Sequence, residues 1–429
     1  MKTEKKTKKR LLLGFYFVLA VLLVSGVYAY WFALKPIRKE IKVEYSIADP
    51  SFKQSLDGLL GFAFVGGNRI TTLVNGDEIF PDMLEAIRGA QKSITLETYI
   101  WSDSEIGREF KKALSERAQA GVNVYVIVDG MGSIRLKQTE INLMRDAGIR
   151  FYKFNRRKWY SVNLQINHRT HRKIMIVDGK IGFIGGSCIH DSWLGDAETE
   201  DQWRDTHYRI EGPSITQMQG IFAENWRQTT GEILHGPDFF PRIQPSGNLL
   251  VQCYMSGPKD RQEIVRVSFL YSMSAAKKNI RIAHSYFFPD ELTRVTLYEA
   301  LKRGVEIEVI VPGKLDSKTV KAASRVHWAD LMDAGVKFYE YGPAMYHVKK
   351  IIVDDELVIA GSANFDSRSF RINDEANFNV MDRQFAAEQI VIFEKDKAQC
   401  RQMSAAELRK RSVFVKAFDR IAGLFSSQF

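Results

Sequence analysis

Cysteine is scarce: three residues in 429, at Cys188, Cys253 and Cys400. Their number is odd, and none forms a CxxC pair or a close cluster, which argues against a disulfide framework or a zinc knuckle and leaves structural free thiols. Histidine is sparse too. The chain has eight, and six of them, His168, His190, His207, His235, His284 and His327, form no HExxH or paired ligand spacing, so no metal or cofactor is expected. A strongly basic body is also missing. The formal charge is +10, but the first ten residues, MKTEKKTKKR, supply +5 of it, and the other 419 residues hold the remaining +5. Without an aromatic-basic stripe, this counts against a nucleic-acid partner. Disorder is excluded by a 45% hydrophobic, 26% charged composition. The length allows two large domains or one doubled domain.

Charge is absent from one further place. Residues 11–34, LLLGFYFVLAVLLVSGVYAYWFAL, carry no charged side chain over 24 positions. At a helical rise of about 1.5 Å per residue, such a run spans a hydrocarbon core of roughly 30 Å. Tyr28, Tyr30 and Trp31 suit the water–lipid boundary. A cleaved signal peptide is the alternative, with VYA at 27–29 as its small-residue site, but the apolar run continues beyond it. The sequence therefore predicts a single-pass anchor. Six basic residues precede it and four follow, at Lys35, Arg38, Lys39 and Lys42, a weak bias toward a cytoplasmic N-terminus that leaves the side of the catalytic body open.

What the chain does contain is a repeat. AQKSITLETYIW (90–101) matches AKKNIRIAHSYF (276–287), AGVNVYVIVDG (120–130) matches RGVEIEVIVPG (303–313), and LMRDAGIRFYKF (143–154) matches LMDAGVKFYEY (331–341). Alternating apolar strands and helical patterns such as 105–119 and 290–303 predict an α/β unit with a largely buried mixed sheet, present twice. The expected division is a basic N-terminus and anchor (1–34), a connecting segment (35–69), a first half (70–230), a linker rich in proline and glycine (231–248), a second half (249–383) and a C-terminal helical tail (384–429). In that tail, residues 407–425 place Phe414, Phe418, Ile421 and Phe425 at helical spacing beside basic residues, which suits either anionic lipid or packing on the sheet.

After the matched blocks, each half carries HxKxxxxD: His171, Lys173 and Asp178, then His347, Lys349 and Asp354. On a strand, positions i and i+2 share a face, so each His–Lys pair projects together. Turns at Asp178-Gly179 and Asp354-Asp355, taken as two-residue hairpins, would put Gly186 opposite His171 and Ser362 opposite His347, small residues that leave room for a ligand. One such pair is weak evidence. Two at equivalent places can be brought into one site by a pseudo-twofold axis. Lysines that bind non-bridging oxygens, a neutral imidazole that attacks phosphorus and a protonated one that serves the leaving alcohol suit a phosphodiester. Asp178 and Asp354 lie at odd parity from the histidines, in turns, and read as structural.

HxKxxxxD followed by GS and Asn364, together with YIWSDSEIGREF, DGMGS, WRDTHYRIEGP, SYFFPD and GSANFDSRSFRINDEANFNVMD, resembles the phospholipase D superfamily over about residues 70–383, most nearly its bacterial cardiolipin synthases. The resemblance implies two α/β/α halves related by a pseudo-twofold axis around one shared active site. It counts His171, Lys173, Asp178, His347, Lys349 and Asp354 as the catalytic set and leads us to favour His171 as the residue that becomes phosphohistidine. Lys173, Lys349 and Asn364, with Ser187 and Ser362, would hold the phosphate, and Asp205 and Glu375 would orient imidazoles. His168 stays a minor candidate. In one departure, Cys188 stands where the second copy has Asn364 and where the resemblance leads one to expect asparagine; a thiol is a poor substitute for an amide donor. The implied function is a phosphatidyltransferase of a bacterial inner membrane that uses phospholipids, with phosphatidylglycerol as acceptor. A phospholipase D that releases phosphatidic acid is the alternative, a nucleic-acid phosphodiesterase is disfavoured by charge, and a non-enzymatic membrane scaffold would leave both motifs unexplained.

Overall fold

The strands of the first half are β1 (Val65–Val74), β2 (Ser93–Thr98), β3 (Asn123–Asp129), β4 (Arg150–Phe154), the two-residue β5 (Arg169–Thr170), β6 (Ile174–Val177), β7 (Ile181–Gly185) and β8 (Thr206–Glu211). Those of the second are β9 (Leu249–Ser256), β10 (Asn279–His284), β11 (Glu306–Lys314), β12 (Lys337–Met345), β13 (Lys349–Val353), β14 (Leu357–Gly361), β15 (Asn373–Met381) and β16 (Cys400–Gln402). These come from a computed structural model that describes residues 12–23, 39–155, 167–258, 263–314, 321–322, 324–412, 414–415 and 419.

The strands join in one continuous sheet, ordered β16-β12-β11-β10-β13-β14-β15-β9-β1-β8-β7-β6-β2-β3-β4. The antiparallel pair β1–β9 lies at its centre, and the order on either side is the same: β8-β7-β6-β2-β3-β4 answers β15-β14-β13-β10-β11-β12. Each half has parallel strands, β2-β3-β4 and β10-β11-β12, at the outside, and antiparallel strands, carrying the motif hairpin, at the inside. The duplication in the sequence is thus a duplication in space, fused through backbone hydrogen bonds.

Helices cover both faces, and the burial of the strands follows. All six residues of β2 and all five of β13 and β14 are buried, as expected for strands covered on both sides. The segment before the first half is more than a connection. Helix Pro50–Leu60, capped by Asp49, buries Phe52, Leu56 and Leu60 against the second half's core, where Phe52 stacks on Tyr271 with ring centroids 4.8 Å apart. The tail likewise is not wholly helical: after helix Arg383–Ala398 it adds β16 to the sheet edge, and Leu408 of the short helix Ala405–Lys410 is buried in the same core. Phe414 is exposed, while Phe418, Ile421 and Phe425 lie outside the described residues.

The hairpins differ from expectation by one residue. The ladders pair Val177 with Ile181 and Val353 with Leu357, so each loop has three residues and the position facing the motif histidine moves by one. The cause is local. Asp178 and Gly179, and likewise Asp354 and Asp355, occupy left-handed backbone conformations, φ 53°, 60°, 53° and 58°. The aspartate carboxylates are drawn to nearby backbone N–H groups: Asp178 accepts from Gln91, Lys92 and Ser93, and Asp354 from Lys277, Lys278 and Asn279.

Residues 12–23 form a helix with exposed side chains. Among the described residues no helix is long and apolar enough to cross a membrane, and residues 11 and 24–34 of the expected span lie outside them.

Candidate active site

His171 follows β5, which pairs in parallel with the start of β15 from the other half, and His171 N–H donates to the Asp374 carbonyl at 2.9 Å. The next residue of β15 is Glu375. Its carboxylate lies 2.9 Å from His171 Nδ1. The second copy repeats this with the halves exchanged: His347 N–H donates to the Arg204 carbonyl at 2.7 Å, and Asp205 Oδ2 lies 2.7 Å from His347 Nδ1. Each histidine is therefore held by backbone and carboxylate from the opposite half. With Nδ1–H donating to a carboxylate, the reactive lone pair is on Nε2, which in the second copy lies 3.1 Å from Lys349 Nζ.

Both carboxylates are fully buried and held by further bonds. Trp193 Nε1 donates to Asp205 Oδ2 at 2.9 Å, and a Cβ at Gly186 would collide with the Asp205 carboxylate, so glycine there makes room for it. Ser362 is fully buried, donating to Glu375 Oε2 at 2.6 Å and accepting from Ala376 N–H. Aromatic rings wall the histidines: Tyr99 lies edge-on to His171 at 5.2 Å, and Trp193 and Trp203 flank His347 at 5.2 and 5.3 Å.

The lysines follow on the strand face shared with their histidines. Lys173 Nζ donates to the His171 carbonyl at 2.8 Å and sits 5.3 Å from the Tyr99 ring centroid. Lys349 Nζ donates to the His347 carbonyl at 2.7 Å and to Ser285 Oγ at 2.9 Å, and Ser285 in turn donates to Asn364 Oδ1 at 3.0 Å. Among the described residues the first half has no such chain: Tyr99 stands in the place of Ser285 and buried Cys188 in that of Asn364. Ser187 Oγ is buried without a hydrogen-bond partner among the described residues. Asp178 and Asp354 lie at the turns described above, where each carboxylate accepts backbone N–H groups of the neighbouring strand's start.

A family profile described as "Cardiolipin synthase, PLD-like domain" matches residues 83–226 and 270–397. The chain belongs to that family. It is 34% identical over 362 residues to a cardiolipin synthase A of Pseudomonas fluorescens and 35% identical over 363 residues to one of Pseudomonas putida, covering 84% of this chain and 75% of each relative. Among solved structures, the phosphatidylserine synthase of Haemophilus influenzae superposes with a TM-score of 0.66 at 16% identity, over 89% of this chain and all of that one. A polyphosphate kinase of Porphyromonas gingivalis does so with a TM-score of 0.53 at 15% identity, over 92% of this chain and 57% of that one. At such identities these two show the shared fold.

In this phospholipase D-like site, burial and charge set the protonation states. Burial, aided by the nearby ammonium groups, outweighs the carboxylate partners and lowers His171 to about 4 and His347 to about 3, so both imidazoles are neutral before an anion arrives. Burial also lowers Lys173, and lowers Lys349 to about 7. Although burial works against them, the carboxylates stay ionised: His171 and Lys173 hold Glu375 down to about 2, and His347 and Lys349 lower Asp205. An anionic phosphodiester would stabilise the charged form of every cation here, lysine or imidazolium.

The sequence reading missed Ser285, Tyr99 and Trp193, each inside or beside a family block but carrying no spacing signal of its own. It had only a minor place for His168, whose Nε2 lies 2.8 Å from Asp374 Oδ1, a third buried histidine–carboxylate link between the halves.

Proposed function

We propose that this chain is a membrane-anchored phosphatidyltransferase that makes cardiolipin through a phosphohistidine. The observation that carries the reading is the exchanged pairing of His171 with Glu375 and His347 with Asp205, which makes one site from both halves and gives each imidazole a carboxylate-held Nδ1. In the first step the Nε2 lone pair of His171, the nucleophile favoured by the family resemblance, attacks phosphorus. The phosphorus–oxygen bond to the headgroup breaks, and the leaving oxygen takes a proton from His347, protonated once the anion is bound. In the second, neutral His347 takes the proton of the incoming lipid hydroxyl, whose oxygen displaces His171 from phosphorus. Lys173, Lys349 and Asn364 hold the non-bridging oxygens, and Ser285 positions Lys349 and Asn364.

The acceptor in this reading is phosphatidylglycerol, and the apolar run 11–34 is the anchor that keeps the site among lipid hydroxyls at a bacterial inner membrane. The two catalytic halves on either side of the linker at 231–248 are part of the same assignment. The test is to incubate the purified protein with phosphatidylglycerol vesicles and identify products by mass. Released glycerol and a lipid with two phosphates and four acyl chains are expected. Phosphatidic acid as the sole product, at any acceptor density, would replace the synthase with a hydrolase.

A further inference from the structure

Between β3 and helix Gln138–Asp146 runs a loop, residues 130–137, with the sequence GMGSIRLK. Its backbone is firmly held. Asp129 Oδ1 accepts the N–H groups of Met131 and Gly132 at 2.9 Å each, Ser133 Oγ donates to the Tyr99 carbonyl at 3.0 Å and accepts from Trp101 N–H at 2.9 Å, and Leu136 is buried in the first half's core. A Cβ at Gly132 would collide with the Tyr99 carbonyl, so the loop lies directly on Tyr99, the residue edge-on to His171. The second oxygen of Asp129 accepts Thr170 N–H at 3.1 Å, beside His171. One carboxylate thus ties the loop and the catalytic segment together.

Yet this loop presents Met131 and Ile134 to solvent, 48% and 65% exposed. A lone exposed apolar side chain is ordinary. Here there are two, three positions apart on a fixed backbone that lies on Tyr99, the neighbour of His171. Exposed Arg135 follows them, as does Lys137, whose side chain stays 70% exposed although Asp103 lies 3.6 Å away. Apolar tips rimmed by cations match the boundary of an anionic bilayer, where acyl chains lie beneath negative headgroups.

We infer that loop 130–137 is a lipid-surface contact: Met131 and Ile134 enter the headgroup–acyl boundary, Arg135 and Lys137 meet anionic headgroups, and a phosphodiester reaches His171 from the interface without crossing bulk water. The inference rests on the phosphatidyltransferase reading for the choice of a lipid partner, but it is read by a different measurement.

The full chain, reconstituted in phosphatidylglycerol vesicles, would carry a polarity-sensitive fluorophore at Ile134→Cys, with the unsubstituted chain as the labelling background. A second preparation would carry it at Ile233→Cys. Ile233 is 72% exposed but adjoins Glu232, which pairs with Arg150 at the start of β4, beside Tyr125 and so at the other end of the strands from Asp129 and the loop that follows it. Nitroxide-labelled acyl chains are expected to quench the probe at 134 and spare that at 233; no quenching at 134, or equal quenching at both, overturns the proposal. The double variant Met131→Ser/Ile134→Ser should raise the apparent KM on vesicles roughly tenfold and leave turnover of a short-chain phosphatidylglycerol below its micelle concentration unchanged. An unchanged vesicle KM also overturns it. Quenching without a diphosphate lipid product would sink the synthase and keep the contact; the product without quenching would do the reverse.

Discussion

Glu375 lies 204 residues from His171 along the chain and 2.9 Å from its Nδ1 in the fold. The bond runs from one half to the other, and its counterpart from Asp205 to His347 runs back. Neither half can orient its own imidazole, so neither is expected to be active alone.

Glu375→Gln and Asp205→Asn should each keep the fold and lower kcat by roughly 10²–10⁴-fold with a smaller change in KM, because an amide can hold Nδ1 in the wrong tautomer and no longer stabilises an imidazolium. Steady-state kinetics beside a thermal melt check this. A kcat within a few-fold of the parent would show that the carboxylates are merely ion-pair partners.

The pH profile should follow Lys349. Its folded value, lowered by burial to about 7, means that the ammonium is lost as pH rises through that value, so kcat/KM should fall on the alkaline side of about 7. The bound phosphodiester stabilises the ammonium, so the matching limb of kcat should lie at higher pH. On the acid side the nucleophile stays neutral down to about 4, so no loss from His171 is expected above that value. Lys349→Arg, which stays charged, should remove the alkaline limb whatever it does to the rate. Persistence of that limb in the variant would assign it to another group.

Rapid quenching with a substrate in excess, followed by peptide mapping under alkaline conditions, should find phosphate on the peptide bearing His171. Phosphate on the His347 peptide would reverse the roles of the two histidines.

Asp178→Ala should act on stability and leave the chemistry in place. The carboxylate accepts three backbone N–H groups at Gln91, Lys92 and Ser93, far along β6 from His171, and its loss should cost about 1–3 kcal/mol with kcat changed only a few-fold. Denaturant titration and kinetics on the same preparation separate the two effects. A large loss of kcat in a stable variant would place Asp178 in the catalytic set.

Asp396→Ala should be more damaging. Arg204 is buried and forms two bonds of 2.9 Å to Asp396, so removing the carboxylate strands a charge, at a cost of about 3–5 kcal/mol, next to the carbonyl that holds His347. A lowered melting temperature together with lowered activity is expected, and Arg204→Met/Asp396→Leu should recover much of the stability.

Much of this protein is written locally. Strand and helix periodicity, the repeated blocks and the doubled HxKxxxxD are short-range patterns, and side-chain alternation alone places each lysine on its histidine's face. The reach of such reasoning ended where the second partner lies far along the chain. That β1 and β9 fuse the halves into one sheet, and that Glu375 serves His171 and Asp205 serves His347, depend on pairings between distant segments. The hairpin register turns on a related cause: a carboxylate bonded to the backbone of Gln91–Ser93, at the start of the neighbouring strand β2, stabilises a left-handed turn whose loop is one residue longer than the local residues suggest. Periodicity records which face a side chain takes, whereas the groups it meets there are supplied by the closing of the fold.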